Sequence, residues 1–302
     1  MDFAVIVLSY NGLADTLECL KSLQAQSVDG VEVIVVDNAS SDGSPEAIKT
    51  AFPHLRLIAL GENMGWAGGN NVGIRLALAE NAQSVCLLNN DTIVPPGAIA
   101  AIAEALDRAG PCLMHPCLDY GDSRDGAQLD PRQSGEPRLP SHEDLYELDY
   151  AYGACLAISS EIFRSIGNFD ERFFLQLEET DFWMRARQRG YRSICTTNAR
   201  VIHKESKSFQ GRISPMKTYY MVRNSFLLMH KHHGNIWRTA RSMYWTVAEQ
   251  SKLKQRTGRA VPFWKWAISK NPYVVAARSG FLDFLRGRYG RGSGRLFERL
   301  RQ

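Results

Sequence analysis

From Phe3 to Leu106, short β-branched apolar runs alternate with stretches whose apolar residues recur every three to four positions. Phe3–Leu8, Val31–Val36, Leu55–Leu60 and Ser84–Leu88 are the short runs. Phe3–Leu8 is continuously apolar, as suits a strand buried on both faces of a sheet. Leu13–Leu23 places Leu13, Leu17, Leu20 and Leu23 on one helical stripe. Ser44–Phe52, with Pro45 in its first turn, reads as a short helix, as do Gly69–Ala82 and about Pro96–Leu106. This alternation makes the chain an α/β protein with a mostly parallel sheet and helices on both faces. Ligands of such sheets bind beyond the carboxyl ends of the strands. Those ends carry Ser9-Tyr10-Asn11, Asp37-Asn38 and Asn89-Asn90-Asp91, so polar side chains gather where a site belongs.

The alternation then stops. Asp119–Asp149 is acidic, rich in Gly and Pro, and reads as a long surface loop. Order resumes at Tyr150–Ile166, and a helix runs from about Asp181 to Gly190. The 302 residues are 44% hydrophobic and 23% charged, which excludes disordered and fibrous chains. The six cysteines are scattered without a CxxC pair, so free buried thiols in a reducing compartment are expected rather than zinc or disulfides. No apolar run approaches the ~18 residues of a membrane span. Met1-Asp2-Phe3 lacks a basic leader region, so a cytoplasmic chain is expected. The formal charge of +4 hides an asymmetry: residues 1–202 sum to −13 and residues 203–302 to +17. The basic last third is expected to face something anionic.

Three groups of residues invite chemistry. The glycine-rich Gly65–Gly73 is not a dinucleotide fingerprint, because it does not follow the first strand. Asp37 and Asp91 each stand where a strand ends, as a turn aspartate or helix cap also would. Together they suit a nucleotide and a cation, since Mg²⁺ or Mn²⁺ on a diphosphate needs one or two protein carboxylates. Phe173–Tyr191 sets Glu178, Glu179 and Asp181 between Phe173-Phe174-Leu175 and Phe182-Trp183-Met184. Acids at a helix start favour its dipole. Acids enclosed by apolar residues can also have a raised pKa and act as a base.

Seven segments in order resemble those of an inverting, GT-A-fold glycosyltransferase of family 2. They are Val5–Gly12, Val35–Gly43, Asn63–Gly73, Leu87–Thr92, Phe173–Tyr191, Val201–His203 and Tyr219–Asn224. Within that family the chain is similar to the rhamnosyltransferase-like branch of bacterial surface polysaccharide synthesis. The resemblance implies a Rossmann-like GT-A domain over residues 1–225 and a basic, aromatic-rich helical extension over 226–302. It implies that Ser9, Tyr10 and Asn11 line a nucleotide pocket and that Asp37 binds the base or ribose. Asn63, Gly65 and Trp66 would form a loop beside the nucleotide. Asn89-Asn90-Asp91 matches a metal-binding D-x-D in which Asn replaces the first Asp, leaving Asp91 and the late His203 for Mn²⁺ or Mg²⁺. Glu179 takes the position of the catalytic base, usually Asp, with Glu178 and Asp181 beside it. The implied donor is a dTDP- or UDP-sugar, and the implied acceptor a lipid-linked or polysaccharide hydroxyl.

Other readings make distinct demands. A nucleotidyltransferase would want a basic glycine-rich loop after the first strand, and Ser9-Tyr10-Asn11-Gly12 carries no Lys or Arg. A non-catalytic carbohydrate- or nucleic-acid-binding protein would not need acids at 91 and 179. No nucleic-acid motif accompanies the basic charge, so no nucleic acid is expected as partner. Ile236, Trp237, Ala240, Met243, Tyr244 and Val247 form a helical stripe near Arg238 and Arg241. Phe263, Trp264, Trp266, Tyr273, Phe281 and Phe284 are interleaved with Lys265, Lys270, Arg278, Arg286 and Arg288. Aromatics among cations suit an anionic membrane surface, here the inner face of the plasma membrane. A helical cap with solvated cations is the competing expectation.

Overall fold

The computed structural model describes residues 2–26, 29–120, 143–204, 214–250, 267–294 and 296. The chain divides into two compact units, Met1–Phe169 with Phe182–Gln210, and Asp170–Asp181 with Gly211–Gln302.

The first unit is built on one nine-stranded sheet. Its strands are β1 (Phe3–Ser9), β2 (Val31–Asp37), β3 (Arg56–Ala59), β4 (Ser84–Asn89), β5 (Thr92–Ile93), β6 (Cys112–Asp119), β7 (Leu145–Leu148), β8 (Cys155–Ser159) and β9 (Arg192–His203). The order is β3-β2-β1-β4-β8-β6-β9-β5, with β7 also paired to β9. The alternating first part forms the parallel half: β1 pairs in parallel with β2 and β4, and β2 with β3. The other half is mixed. β8 runs antiparallel to β4 and β6, β6 is parallel to β9, and β5 and β7 run antiparallel to β9.

Helices α1 (Leu13–Gln24), α2 (Ser44–Ala51), α3 (Gly65–Ala79), α4 (Ala98–Ala109) and α5 (Ser160–Ile166) complete this unit with most of α6 (Glu178–Gln188). The two-residue period of β1 sends Phe3, Val5 and Val7 into the core that α1, α2 and α4 cover. Ala4 and Ile6 enter the opposite core, beneath α3, α5 and α6. The glycines of α3 serve that packing. A Cβ on Gly73 would lie 2.7 Å from Ile6 Cγ2, and one on Gly69 would collide with Leu8 Cδ1. The helix therefore begins at Gly65, four residues before the sequence-based start, because residues that read as a turn are its contact face.

The expected loop over Asp119–Asp149 is corrected at both ends. Asp119 closes β6, and Leu145–Leu148 is a strand paired with β9. Residues 121–142 lie outside the described residues. All six cysteines are free and buried. No helix among the described residues is long and apolar enough to cross a membrane.

The second unit packs α7 (Pro215–Lys231), α8 (Ile236–Gln250) and α9 (Pro272–Leu285) with the segment Asp170–Asp181, the first turn of α6 included. Ser214 caps α7 by accepting from Lys217 N at 3.1 Å, and Asn271 caps α9 by accepting from Tyr273 N at 3.0 Å. Val222 and Phe226 pack on Val274 and Ala277, with Ala240 and Met243 of α8 against them. The α8 stripe is thus split: Ile236 is 44% and Trp237 82% exposed. The side chain of Val247, and Phe263, Trp264, Lys265 and Trp266, lie outside the described residues.

Candidate active site

In the first unit the loops after β1 and β2 interlock at the carboxyl edge of the sheet. Asn11 adopts φ 49°, and its Oδ1 accepts from Ser41 N at 2.8 Å, while its own N–H donates to Ser40 Oγ at 2.9 Å. Ser40 N donates to Asp37 Oδ2 at 2.9 Å. Asp37 is 1% exposed, and its second oxygen, Oδ1, has no partner. A buried carboxylate oxygen without a donor is costly, so this atom is poised for a hydroxyl or N–H from outside the chain.

Asn38 continues the edge. Its Nδ2 donates to Asn63 Oδ1 at 3.2 Å and Gly65 O at 3.0 Å, and its Oδ1 accepts from Met64 N at 2.8 Å. Asn63 Oδ1 also accepts from Gly65 N. The loop before α3 is therefore tied to the end of β2. Trp66 stands edge-on to Phe169 and donates its indole N–H to Asn89 Oδ1 at 3.4 Å.

Ser9 is buried with its Oγ 3.0 Å from Thr16 Oγ1, which also accepts from Asn90 Nδ2 at 2.8 Å. Tyr10 is 44% exposed. The structure thus gathers Ser9, Asn11, Asp37, Asn63, Gly65, Trp66, Asn89 and Asn90 at one sheet edge. Sequence reasoning did not assign Asn38, Ser40 or Thr16 a role. Asn38 directly follows the strand-end Asp37, which was the available signal; Thr16 carried none beyond its helical register.

β5 pairs with β9 so that Thr92 faces His203. Asp91, one residue earlier, places Oδ1 3.2 Å from His203 Nε2. The Asp91 carbonyl accepts from Lys204 N, and Lys204 Nζ reaches Asp15 and Glu18 on α1 at 2.6 and 2.7 Å. His203 Nδ1 is buried without a partner. Asp91 Oδ1 and His203 Nε2, 3.2 Å apart, suit a divalent cation that would take its remaining ligands from a diphosphate and water. No group of three or more His, Cys, Asp or Glu side chains placed to hold a metal ion occurs among the described residues. Asn89 spends its amide oxygen on Trp66, which leaves Asp91 and His203 as the candidate ligands.

The three acids begin α6 and belong to the second unit. Glu178 is 5% exposed, and its Oε2 has no partner. Burial, and then the charge of Glu179, push its carboxyl from 4.5 up to about 8. Glu178 therefore holds a proton at neutral pH. Glu179 is half-buried. Asp181 is fully buried and accepts from His232 Nε2 and Lys231 Nζ, each at 2.9 Å. Lys231 also donates to Asp170 Oδ2 at 2.8 Å. Asp181 is thus engaged by Lys231 and His232 of its own unit.

The mannosyltransferase PcManGT from Pyrobaculum calidifontis, solved with GDP-Man and Mn²⁺, superposes with a TM-score of 0.56 over 95% of this chain and 87% of its own, at 18% identity. That likeness identifies the architecture as the GT-A fold of glycosyltransferases. The profile described as Glycosyl transferase family 2 matches residues 4–167, just over half of the chain, and the protein belongs to that family. The low-salt glycan biosynthesis hexosyltransferase Agl10 of Haloferax volcanii is 29% identical over 238 residues, 75% of either chain. An N-acetylglucosaminyl-diphospho-decaprenol L-rhamnosyltransferase of Mycobacterium tuberculosis is 26% identical over 281 residues, 83% of this chain and 90% of its own.

Proposed function

We propose that this glycosyltransferase moves a sugar, with rhamnose the first candidate, from a dTDP- or UDP-sugar to a hydroxyl of a lipid-linked or polysaccharide acceptor, inverting the anomeric centre. One observation carries the reading. Seven buried side-chain atoms lack a partner among the described residues, and three of them belong to Asp37, Glu178 and His203. Those are residues that the motifs had already assigned to the nucleoside, the group of three acids and the cation. Agl10 and the decaprenol-linked rhamnosyltransferase support the substrate class.

In this reading Asp37 Oδ1 accepts from the ribose or base, and the tied loop Asn63–Trp66 flanks the nucleotide with Ser9, Tyr10, Asn11, Asn89 and Asn90. Asp91 and His203 would hold Mn²⁺ or Mg²⁺, which when bound neutralises the charge that builds on the departing diphosphate. Glu179 accepts the proton of the attacking hydroxyl. Glu178, already protonated, cannot accept one at neutral pH, and Asp181 is engaged by Lys231 and His232. Glu179→Gln tests the assignment: transfer should fall about 10²-fold or more, while donor affinity is kept. Retention of most of the rate would overturn it.

A lipid-linked acceptor would put the enzyme at the cytoplasmic face of the plasma membrane. The exposed Ile236 and Trp237 beside exposed Arg238 and Arg241, and the exposed Leu285 beside Arg286 and Arg288, support that placement. Sedimentation with anionic liposomes should recover the protein in a salt-sensitive way. Equal recovery in the supernatant with neutral and anionic liposomes at low salt would leave α8 as a packed cap.

A further inference from the structure

The segment Tyr219–Asn224 matched the family pattern without receiving a task, and its side chains converge on the backbone that precedes the acids. Arg223, Tyr219 and Tyr220 are the largest fully buried side chains described. The Arg223 guanidinium donates to Asn224 Oδ1 at 2.9 Å, Gly290 O at 2.7 Å, Arg172 O at 3.1 Å and Phe173 O at 2.9 Å. These acceptors are all neutral oxygens, and no carboxylate lies within ion-pair reach among the described residues. The Asn224 amide nitrogen lies 2.8 Å from each of the carbonyl oxygens of Phe173, Leu175 and Gln176, so two hydrogens are shared by three acceptors. Tyr220 stacks on Phe174 at 5.4 Å, and Arg223 sits 5.0 Å from the Tyr220 ring centre.

The clamped backbone is not one that the chain would adopt unaided. Phe174, Gln176 and Leu177 all take positive φ, at 63°, 75° and 72°, and none is glycine. Each Cβ disfavours that conformation. Three such residues within four positions persist only where the surroundings over-determine them. Glu178 follows directly and opens α6.

We infer that Arg223 and Asn224 are positioning residues: their hydrogen bonds to the carbonyls of residues 172–176 hold the left-handed turn that leads into α6 and presents Glu179 for catalysis. They act through the backbone and touch no reacting atom. The inference rests on the proposal that an acid of this turn serves transfer, with Glu179 as base. A small displacement of a catalytic group is enough to lower turnover steeply while leaving ground-state binding of the nucleotide unchanged.

The test is steady-state kinetics on the full chain with dTDP-rhamnose or, where thermal shift selects it, a UDP-sugar, together with nucleoside diphosphate binding. Asn224→Ser and Arg223→Lys should each lower kcat by about 10²-fold, with donor KM and dTDP or UDP affinity within about threefold of the unmodified protein. Adding Gln176→Gly to Asn224→Ser should recover about tenfold, since glycine takes positive φ at no steric cost. A merely structural role would give neither the kcat–KM split nor this rescue. Gln176→Gly and Leu177→Gly alone, which keep the backbone carbonyls that the clamp holds, should keep kcat within about threefold; a tenfold loss in either would show that side-chain stiffness, not the clamp, holds the turn. Unchanged kcat in Asn224→Ser with a large loss in Glu179→Gln overturns the clamp and leaves the base. The reverse result overturns the base and leaves the clamp acting on the neighbouring acid.

Discussion

Glu178→Gln isolates the consequence of burying a carboxyl beside another carboxylate. Burial and the Glu179 charge raise the Glu178 pKa from 4.5 to about 8. In that interval the folded state keeps a proton that the unfolded chain releases. Stability is then fully present below the unfolded value and is lost as pH rises, at about 1.4 kcal/mol per pH unit. Between pH 5.5 and 7.5 the loss sums to about 2.5 kcal/mol. Glutamine has the shape of the protonated acid and no proton to lose. The stability gap between variant and unmodified protein should therefore widen in the variant's favour by about 2.5 kcal/mol across that window. Urea denaturation of both proteins at pH 5.5, 6.5 and 7.5 measures it. A gap that moves by less than about 0.5 kcal/mol would refute the reasoning. The same variant separates the acids chemically: transfer should stay within about threefold, since a neutral carboxyl is not the base. A 10²-fold loss would mean that Glu178 exchanges its proton during the reaction.

Asp37→Ala should weaken nucleoside diphosphate and whole donor alike by about tenfold, measured by calorimetry, because Oδ1 is the buried acceptor without a partner; equal affinities would give this aspartate a purely structural role on Ser40. Chelation by EDTA should abolish transfer and Mn²⁺ or Mg²⁺ restore it, with Asp91→Asn and His203→Ala needing more metal for half-restoration; full rate in EDTA would remove the cation from the reading. Gly280→Ala should destabilise the fold by about 2 kcal/mol or more despite the better helix propensity of alanine. The new Cβ would lie 2.5 Å from the Tyr219 carbonyl oxygen, which is backbone and cannot rotate away; a raised melting temperature would contradict this.

The parallel half of the sheet was legible because β1 and most of β4 are buried on both faces and write nearly continuous apolar runs, while β2 and β3 keep mostly apolar runs broken only by Glu32 and Arg56. The other half escaped for identifiable reasons. His115 and Pro116 interrupt β6, and the register of β6 on β9 shifts between Pro116 and Cys117. β9 mixes polar residues into twelve positions, and β7 is four residues long. Candidate nucleotide and cation residues were legible as strand ends, since chemistry gathers where such strands stop. The partition among the three acids was not. Nothing in Glu178-Glu179-Thr180-Asp181 says that the first would be buried without a partner and the last tied to Lys231 and His232. The task of Arg223 and Asn224 was equally hidden, because hydrogen bonds to carbonyls some fifty positions upstream leave no periodic trace.

The sheet order has a consequence for synthesis. When the ribosome has delivered α3 and β4, strands β3-β2-β1-β4 can pair, and Asp37, Asn38 and Asn63 already have their partners. The outer edge of β4 stays open until Cys155–Ser159 emerges, because β8 and not the earlier β6 is its neighbour. Asp91 meets His203 later still, when the last strand has been made. A nascent chain thus acquires its nucleotide-facing edge before its cation pair, with an apolar strand edge exposed in between. Such an edge recruits other chains. Fragments that end before Cys155 should therefore aggregate, however well ordered their first four strands are.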